Sequence, residues 1–257
     1  MCIRDSSYGM RSKEVSNTKA KDTYRIALLG DSFAFGWGVE FDESFAFKTQ
    51  ELLETKLKKT TFKKDVEILN FGVPGYSTFQ EVALFKELGQ KFKPDAILIY
   101  FIDNDFGLPF FIKNYEQPEK LFDAGEFNKL KDKDKEYNKY RQFLDKMNAN
   151  YHVKEISEHC REKGIPLFLA INPNRKAEKM RHALWILKED PNVNLIWMRD
   201  DFLKTVRERK IDIKDLSLIG DPHPSVLSHG ILAEILAEKL TEKLLAEKGE
   251  RSPFSVP

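Results

Sequence analysis

The stretch RIALLGDSFAFGWGV, residues 25–39, runs from an apolar segment directly into residues that favour turns. Ile26–Leu29 are consecutive apolar residues, and Gly30, Asp31 and Ser32 follow them at once. A short apolar run bounded by glycine and small polar residues predicts a buried strand that ends in a tight turn. Ser32 is then open to three interpretations: a nucleophile at the carboxyl end of a strand, part of a phosphate-binding loop, or a residue of a structural turn.

The pattern of a strand followed by a helix recurs along the chain. The predicted strands are Tyr24–Leu29, Val66–Asn70, Ala96–Ile102, a segment within 165–173, and Val193–Met198. The predicted helices lie at about 44–58, 78–92, up to 163, 175–188, 201–209 and 226–248. The third strand is apolar throughout, which is typical of a central parallel strand covered on both faces. This alternation predicts right-handed parallel crossovers and a three-layer α/β domain.

The helix after the second strand carries a start signal in the sequence. Thr78 is followed three residues later by Glu81, which matches the pattern of a capping box. We therefore predict that this helix begins at Thr78 and that the two side chains cap it.

The length of 257 residues favours one domain with an insertion. We expect that domain at 23–248, with the insertion at about 106–145 and a polar tail at 249–257. Residues 1–22 are polar and lack an apolar signal-peptide core, so we expect a disordered or artefactual lead-in. The first six residues, MCIRDS, resemble a leader that recurs as an assembly artefact in environmental sequences, and we expect the true amino terminus to be missing. The compartment therefore stays open.

Composition excludes several classes of protein. The 42 lysines and arginines balance the 41 aspartates and glutamates, so no basic surface indicates a nucleic-acid partner. No apolar run reaches membrane-spanning length. The two cysteines are too few for a disulfide framework or a metal knuckle. Asp103 and Asp105 lack further carboxylates at ligand spacing, so we expect no metal.

Polar residues and glycines follow several of the predicted strands. In a parallel sheet these positions meet at one edge, where ligands bind. They are Asp31 with Ser32, the segment 70–75, and the segment 103–105, and a late loop adds Asp221 with His223. Together they supply a serine, a histidine, carboxylates and amide donors, which are the components of acyl transfer through a covalent serine ester.

Each of these groups has a candidate role in such chemistry. A serine hydroxyl needs a base, and histidine titrates near neutrality, so His223 is the candidate base for Ser32. Asp221 is the candidate group that orients the imidazole. The N–H groups of Ser32 and Gly75 and the side-chain amide of Asn104 are candidate oxyanion donors. Asp31 we interpret as an acceptor that braces the loop.

Four blocks then carry a resemblance to a known family. GDS after the first strand, NFGVPG after the second, NDF after the third and the late DPHPS resemble, in order, the blocks of the SGNH/GDSL hydrolases. The resemblance covers about residues 25–240. It implies a flavodoxin-like α/β/α domain with a central parallel sheet of about five strands, hydrolysing lipid or carbohydrate acyl esters without a metal or an organic cofactor. It also implies Ser32 as nucleophile, His223 as base, and Ser32, Gly75 and Asn104 as the oxyanion hole.

The sequence departs from the family pattern at two positions. Ile102 stands where the third block usually has glycine. Gly220 stands where the last block usually has its aspartate, three residues before the histidine, and Asp221 lies only two before His223. Either Asp221 completes a triad, or a backbone carbonyl orients His223 and the site is a Ser–His dyad.

An acetyl or other short-chain ester is the expected substrate, and two alternatives remain at the level of function. SYGMRSKE before the first strand resembles the lead-in of envelope-associated bacterial members, which often have an upstream membrane anchor. An extracytoplasmic polysaccharide O-acetyl esterase or transferase is therefore one alternative. The other is a non-catalytic flavodoxin-like binding module, although GDSFAFGWG has neither a G-x-G-x-x-G pattern nor the lysine of a P-loop. Four aromatic residues are expected either to line the substrate pocket or to pack in the core: Trp37, Tyr76, Phe110 and Phe111.

Overall fold

The computed structural model describes residues 6–106 and 148–247. At its centre is a five-stranded sheet in which every pair of neighbours is parallel. The strands are β1 (Thr23–Leu29), β2 (Asp65–Asn70), β3 (Ala96–Phe101), β4 (Leu167–Ile171) and β5 (Val193–Trp197). Their order across the sheet is β2-β1-β3-β4-β5, the order of flavodoxin-like domains. The predicted fold class is confirmed.

The sequence of β1 explains its central place. All seven of its residues are buried. Successive side chains point to opposite faces of a sheet, and Ile26 and Leu28 join one apolar cluster while Ala27 and Leu29 join the other. Because the strand order reverses between β1 and β3, a crevice opens there at the carboxyl ends of the strands, and the turn after β1 lies beside it.

Helices cover both faces of the sheet. They are α1 (Ser32–Phe35), α2 (Phe45–Leu57), α3 (Thr78–Glu87), α4 (Ala149–Lys163), α5 (Ala177–Ala183), α6 (Ile186–Glu189), α7 (Arg199–Glu208) and α8 (Val226–Glu247). Apolar residues of α2, α7 and α8 share one cluster with the sheet, and those of α3 to α6 share the other. No helix within 6–106 or 148–247 is long and apolar enough to cross a membrane.

The helix predicted at 175–188 is interrupted, and a distant side chain accounts for the break. The segment forms α5 and α6 with Leu184 and Trp185 between them. The amide of Asn150, on α4, donates to the carbonyl of Ala183 at 3.1 Å and accepts from the N–H of Ile186 at 3.1 Å. Asn150 thus satisfies backbone groups that a continuous helix would pair internally.

Residues 6–22 pack on the domain, which differs from the expected disordered lead-in. Met10 and Val15 are buried in the apolar cluster that faces α3. The guanidinium of Arg11, which is also buried, donates to the carbonyl oxygens of Phe35 at 3.1 Å and Val39 at 2.6 Å. This segment therefore braces the turn after α1. The domain bounds 23–248 stay a prediction, and residues 1–5, the insertion beyond Phe106 and the tail at 249–257 lie outside the described residues.

Candidate active site

Ser32 is the first residue of α1, immediately beyond the carboxyl end of β1. Asp31 caps this short helix, because its Oδ1 accepts from the N–H of Phe33 at 2.9 Å. Gly36 ends the helix with a φ of 80°, a left-handed conformation that glycine adopts without strain. The cap at Asp31 and the turn at Gly36 thus hold Ser32 at the carboxyl end of β1.

His223 reaches Ser32 from the loop before α8. Its Nε2 lies 2.8 Å from the Oγ of Ser32. Its Nδ1 contacts Oδ1 of Asp221, and that oxygen also accepts the backbone N–H of His223 at 2.8 Å. Because a carboxylate can only accept, Nδ1 carries the hydrogen, which leaves Nε2 to accept from the serine hydroxyl. Asp221, rather than a backbone carbonyl, thus lies at Nδ1 of His223.

The backbone of the loop before α8 explains how Asp221, only two residues before His223, reaches the imidazole ring. Ser217 and Pro224 form an isolated antiparallel bridge, and the N–H of Leu218 donates to the carbonyl of His223 at 2.9 Å. Gly220 turns the chain with a φ of 74°. The loop folds back on itself, so Asp221 is brought to the ring of His223.

Trp37 also contacts this pair. The pKa of the Asp221 carboxyl is lowered by hydrogen bonds from the backbone N–H of His223, then from its side chain, and also by a hydrogen bond with Trp37. The indole is half-exposed, with its centroid 6.1 Å from that of the His223 ring. The sequence predicted a pocket-lining or core residue at Trp37. Its hydrogen bond to Asp221 was not foreseen, since a contact across 184 residues has no local signal.

The candidate oxyanion donors come from three neighbouring strand ends. The Nδ2 of Asn104 donates to Oδ2 of Asp31 at 2.7 Å, and the same oxygen lies 3.4 Å from Oγ of Ser32, so Asn104 is beside the serine. An amide NH₂ has two hydrogens, and one remains for a substrate. Within the described residues, the N–H groups of Ser32 and Gly75 have no hydrogen-bond acceptor.

The loop after β2 is fixed against α1. Gly72 approaches so closely that a Cβ there would lie 2.5 Å from the backbone nitrogen of Phe35. The N–H of Val73 donates to the carbonyl of Gly30 at 3.0 Å. Gly75 has a φ of 82°, which a residue with a Cβ rarely adopts. These contacts hold the loop that presents the Gly75 N–H.

Asp31, which the sequence predicted as an acceptor that braces the loop, is buried. Burial raises its pKa, and this is opposed by hydrogen bonds from Asn104, from the N–H of Phe33 and from Ser32, and by the charge of nearby His223. The carboxylate of Asp31 thus links Ser32, the candidate nucleophile, to Asn104, a candidate oxyanion donor.

The predicted capping box at Thr78 and Glu81 is wrong by one residue. The helix is instead preceded by Ser77, whose N–H donates to Oε1 of Gln80 at 3.3 Å. Thr78 instead donates from its hydroxyl to Oδ1 of Asp105 at 3.1 Å, and Glu81 is fully buried. The sequence contains both patterns, S-x-x-Q and T-x-x-E, and the burial of Glu81 decides between them.

The sequence raised Asp105 only as a metal-ligand candidate, but its side chain closes a turn of the site. Its Oδ2 accepts the N–H of Ile102 at 2.7 Å, and its own N–H donates to the carbonyl of Ile102 at 3.1 Å. These bonds close the turn that carries Asn104, with isoleucine in the place where the family pattern has glycine.

The remaining histidine near this site is structural. His229 is buried on α8, where its Nδ1 accepts the N–H of Phe45 at 3.0 Å. Burial, followed by the charges of Lys48 and Arg11, lowers its pKa to about 4. Within residues 6–106 and 148–247, no group of three His, Cys, Asp or Glu side chains is placed to hold a metal ion.

Comparison with known proteins places this geometry in context. The model of the GDSL-like Lipase/Acylhydrolase family matches residues 28–231. No curated protein matches the sequence.

Among the solved structures with the same fold are three bacterial proteins. A putative lipolytic protein of the G-D-S-L family from Desulfitobacterium hafniense DCB-2 has 15% identity and a TM-score of 0.52, over 83% of this chain and 98% of that one. The psychrotrophic esterase EstA from a Pseudoalteromonas species has 16% identity and a TM-score of 0.53, over 86% and 98%. An acetylxylan esterase from Geobacillus stearothermophilus has 14% identity and a TM-score of 0.53, over 88% and 96%.

Proposed function

The chain belongs to the GDSL-like lipase/acylhydrolase family and is a carboxylic ester hydrolase, and from this premise we propose that it cleaves acetyl and other short-chain acyl esters through an acyl-enzyme on Ser32. The observation that carries the proposal is the 2.8 Å contact between Oγ of Ser32 and Nε2 of His223, with Asp221 on the opposite ring nitrogen. A nucleophile, a base and a group that orients the base are thus in hydrogen-bonding contact.

In the first half of the reaction, Oγ of Ser32 attacks the ester carbonyl while Nε2 of His223 takes the hydroxyl proton. Asp221 stabilises the imidazolium that forms. When the tetrahedral intermediate collapses, the bond to the alcohol breaks and His223 returns the proton to the leaving oxygen. The acyl group is then bonded to Ser32.

In the second half, a water molecule attacks the acyl carbonyl as His223 takes its proton. Collapse releases the carboxylic acid, and Ser32 regains its hydrogen from His223. Both intermediates carry an oxyanion, for which the N–H groups of Ser32 and Gly75 and the free hydrogen of the Asn104 amide are the donors. Removal of one such donor typically costs about 2.7–4 kcal/mol of transition-state stabilisation.

The proposed substrate class is an acetylated carbohydrate. Support comes from the similarity in fold to proteins described as acetylxylan esterases and as an esterase active on acetylated mannans. The rings of Phe33 and Trp37 flank His223 at 5.0 and 6.1 Å between centroids, and they offer flat apolar surfaces to a sugar ring.

The test compares the purified protein with Ser32→Ala on p-nitrophenyl acetate, butyrate and octanoate and on acetylated xylo-oligosaccharides. We expect the acetyl esters to react fastest, Ser32→Ala to lose activity, and a fluorophosphonate probe to label Ser32. Ser16→Ala, at an exposed serine of the lead-in, is the matched control and should keep full activity. Hydrolysis that survives in Ser32→Ala would overturn the nucleophile, and a preference for octanoate would overturn the acetyl class.

A further inference from the structure

Three carboxyl groups are buried together behind the candidate nucleophile. Asp31 and Asp105 are 0% exposed and Glu81 is 1% exposed. Asp31 and Asp105 have roles already described, as the cap of α1 and the brace of the third turn. Glu81 has no role in the proposed reaction, and a buried carboxyl group in this position requires a physical explanation.

The hydrogen-bond partners differ sharply among the three. Asp31 and Asp105 each accept two strong hydrogen bonds, one of them from a backbone N–H. Among the described residues, neither oxygen of Glu81 accepts a hydrogen bond from any donor. A buried carboxylate without donors is strongly disfavoured, whereas a neutral carboxyl group can itself donate.

Glu81 contacts Asp105 through a side-chain hydrogen bond. The pKa of Glu81 is raised well above its ordinary value, first by burial and then by the negative charges of Asp105 and Asp31. Burial and then the charge of Asp31 raise the pKa of Asp105 to about 8, and hydrogen bonds from Ile102, Thr78 and Glu81 oppose this rise. Because Asp105 accepts from two donors and Glu81 from none of the described residues, the proton between them lies on Glu81, and Asp105 is the acceptor.

Asp105 connects the two loops that carry the candidate oxyanion donors of Gly75 and Asn104. One oxygen binds Thr78 at the start of α3, three residues beyond Gly75. The other binds the N–H of Ile102 and closes the turn of Asn104. The orientation of the Asp105 carboxylate thus affects both donors, and Glu81 contacts that carboxylate from inside the fold.

We propose that Glu81 is a positioning residue, which holds a proton and donates it to the Asp105 carboxylate so that Asn104 and the Gly75 loop are kept in place for the oxyanion. This inference rests on the proposed function, because it assigns Glu81 an effect through Asn104. It does not make Glu81 a catalytic residue, since Glu81 touches neither the substrate nor Ser32.

The kinetic test uses Glu81→Met, which keeps the bulk and removes the donor, and Glu81→Gln, which keeps a donor without a titrating proton. On p-nitrophenyl acetate we expect Glu81→Met to lower kcat by about 10-fold or more with little change in KM, because the interaction is realised in the transition state. Glu81→Gln should remain within about threefold of the wild type. Glu87→Gln, at an exposed glutamate of the same helix, is the matched control.

A double-mutant cycle separates positioning from a merely structural role. If Glu81 acts through Asn104, the variant Glu81→Met/Asn104→Ala should be no slower than Asn104→Ala alone. Independent, multiplicative losses in kcat would overturn the proposal, as would a Glu81→Met variant with wild-type kcat.

A spectroscopic test stands even where Glu81→Met fails to fold. At pH 7 the infrared spectrum of the wild type should contain the C=O absorption of a buried protonated carboxyl group, and Glu81→Gln should reduce that absorption while Glu87→Gln retains it in full. Absence of the band in the wild type would overturn the proposal. Activity that survives in Ser32→Ala would instead overturn the proposed function and leave the band unaffected, so the two failures are distinguishable.

Discussion

At the scale of single residues, Trp37 connects the turn after the nucleophile with the loop of the candidate base. Its indole interacts with the carboxylate of Asp221, which also contacts the backbone N–H and the ring of His223. Asp221 is about one-third exposed, so water competes for the same oxygens. We therefore expect the indole to favour the orientation in which the carboxylate faces Nδ1.

Replacing Trp37 by phenylalanine should lower kcat by about 3- to 10-fold, because the ring is kept while one hydrogen bond to the carboxylate is removed. The measurement is steady-state hydrolysis of p-nitrophenyl acetate, with circular dichroism to check the fold. Trp185→Phe, at a partly buried tryptophan between α5 and α6, is the control and should leave kcat unchanged. A Trp37→Phe enzyme with wild-type kcat would contradict a positioning role for the indole.

At the scale of elements, the turn after α1 supports the loop that carries His223. Gly38 has a φ of 80°, and a Cβ at this position would lie 2.2 Å from Cδ1 of Leu218. Leu218 in turn pairs with the backbone of His223. A methyl group at Gly38 would therefore have to displace the side chain of Leu218.

Gly38→Ala should reduce kcat/KM by about 3-fold or more, because the methyl group must displace the side chain of Leu218, whose backbone N–H pairs with the carbonyl of His223. Gly164→Ala is the matched control, since Gly164 also has a positive φ, of 64°, and nothing lies within 4 Å of a Cβ there. Both variants should lose about 1–2 kcal/mol of unfolding free energy to left-handed strain, measured by urea denaturation, but only Gly38→Ala should lose activity. Equal activity of the two variants would refute this account.

The elements differ in how well the sequence predicts them. The strands are identified by continuous apolar runs such as 96–101, because a strand buried on both faces has no polar side. The start of α3 is ambiguous, since Ser77 and Thr78 both match a cap and only tertiary contacts decide. The break between α5 and α6 depends on Asn150, a residue of another helix, and no local pattern could reveal it.

At the scale of the whole molecule, the strand order gathers residues that are far apart in the chain. Because β1 lies between β2 and β3, the ends of these strands bring Ser32, Gly75 and Asn104 to one edge of the sheet. The sequence predicted this gathering from parallel topology alone. The sequence did not predict the contact between Glu81 and Asp105 behind this edge, because that contact joins a helix face to a loop.

The same pairing makes the stability of the whole domain depend on pH. The charged or titratable groups that face Glu81 are Asp105 from the third turn and Asp31 from the end of β1. Helix α4, which also packs against α3, contributes exposed groups that pair elsewhere, such as Glu155 with Lys86. Because Glu81 and Asp105 interact directly and the pKa of each is raised, a comparison with Glu81→Gln reports the titration of this pair.

In the folded protein the pKa of Glu81 lies well above the ordinary value of 4.5, while the unfolded chain has the ordinary value. Between these two values the native state binds one more proton than the unfolded state. The free energy of unfolding must therefore fall as pH rises through this window, with a slope approaching about 1.4 kcal/mol per pH unit.

Glu81→Gln cannot titrate, so its stability relative to the wild type should rise steadily from pH 5.5 to 8.5. Urea denaturation of both proteins at one-unit intervals measures this difference, with Glu87→Gln as the exposed control, which should follow the wild type. Parallel curves for the wild type and Glu81→Gln would mean that Glu81 is ionised in the folded state.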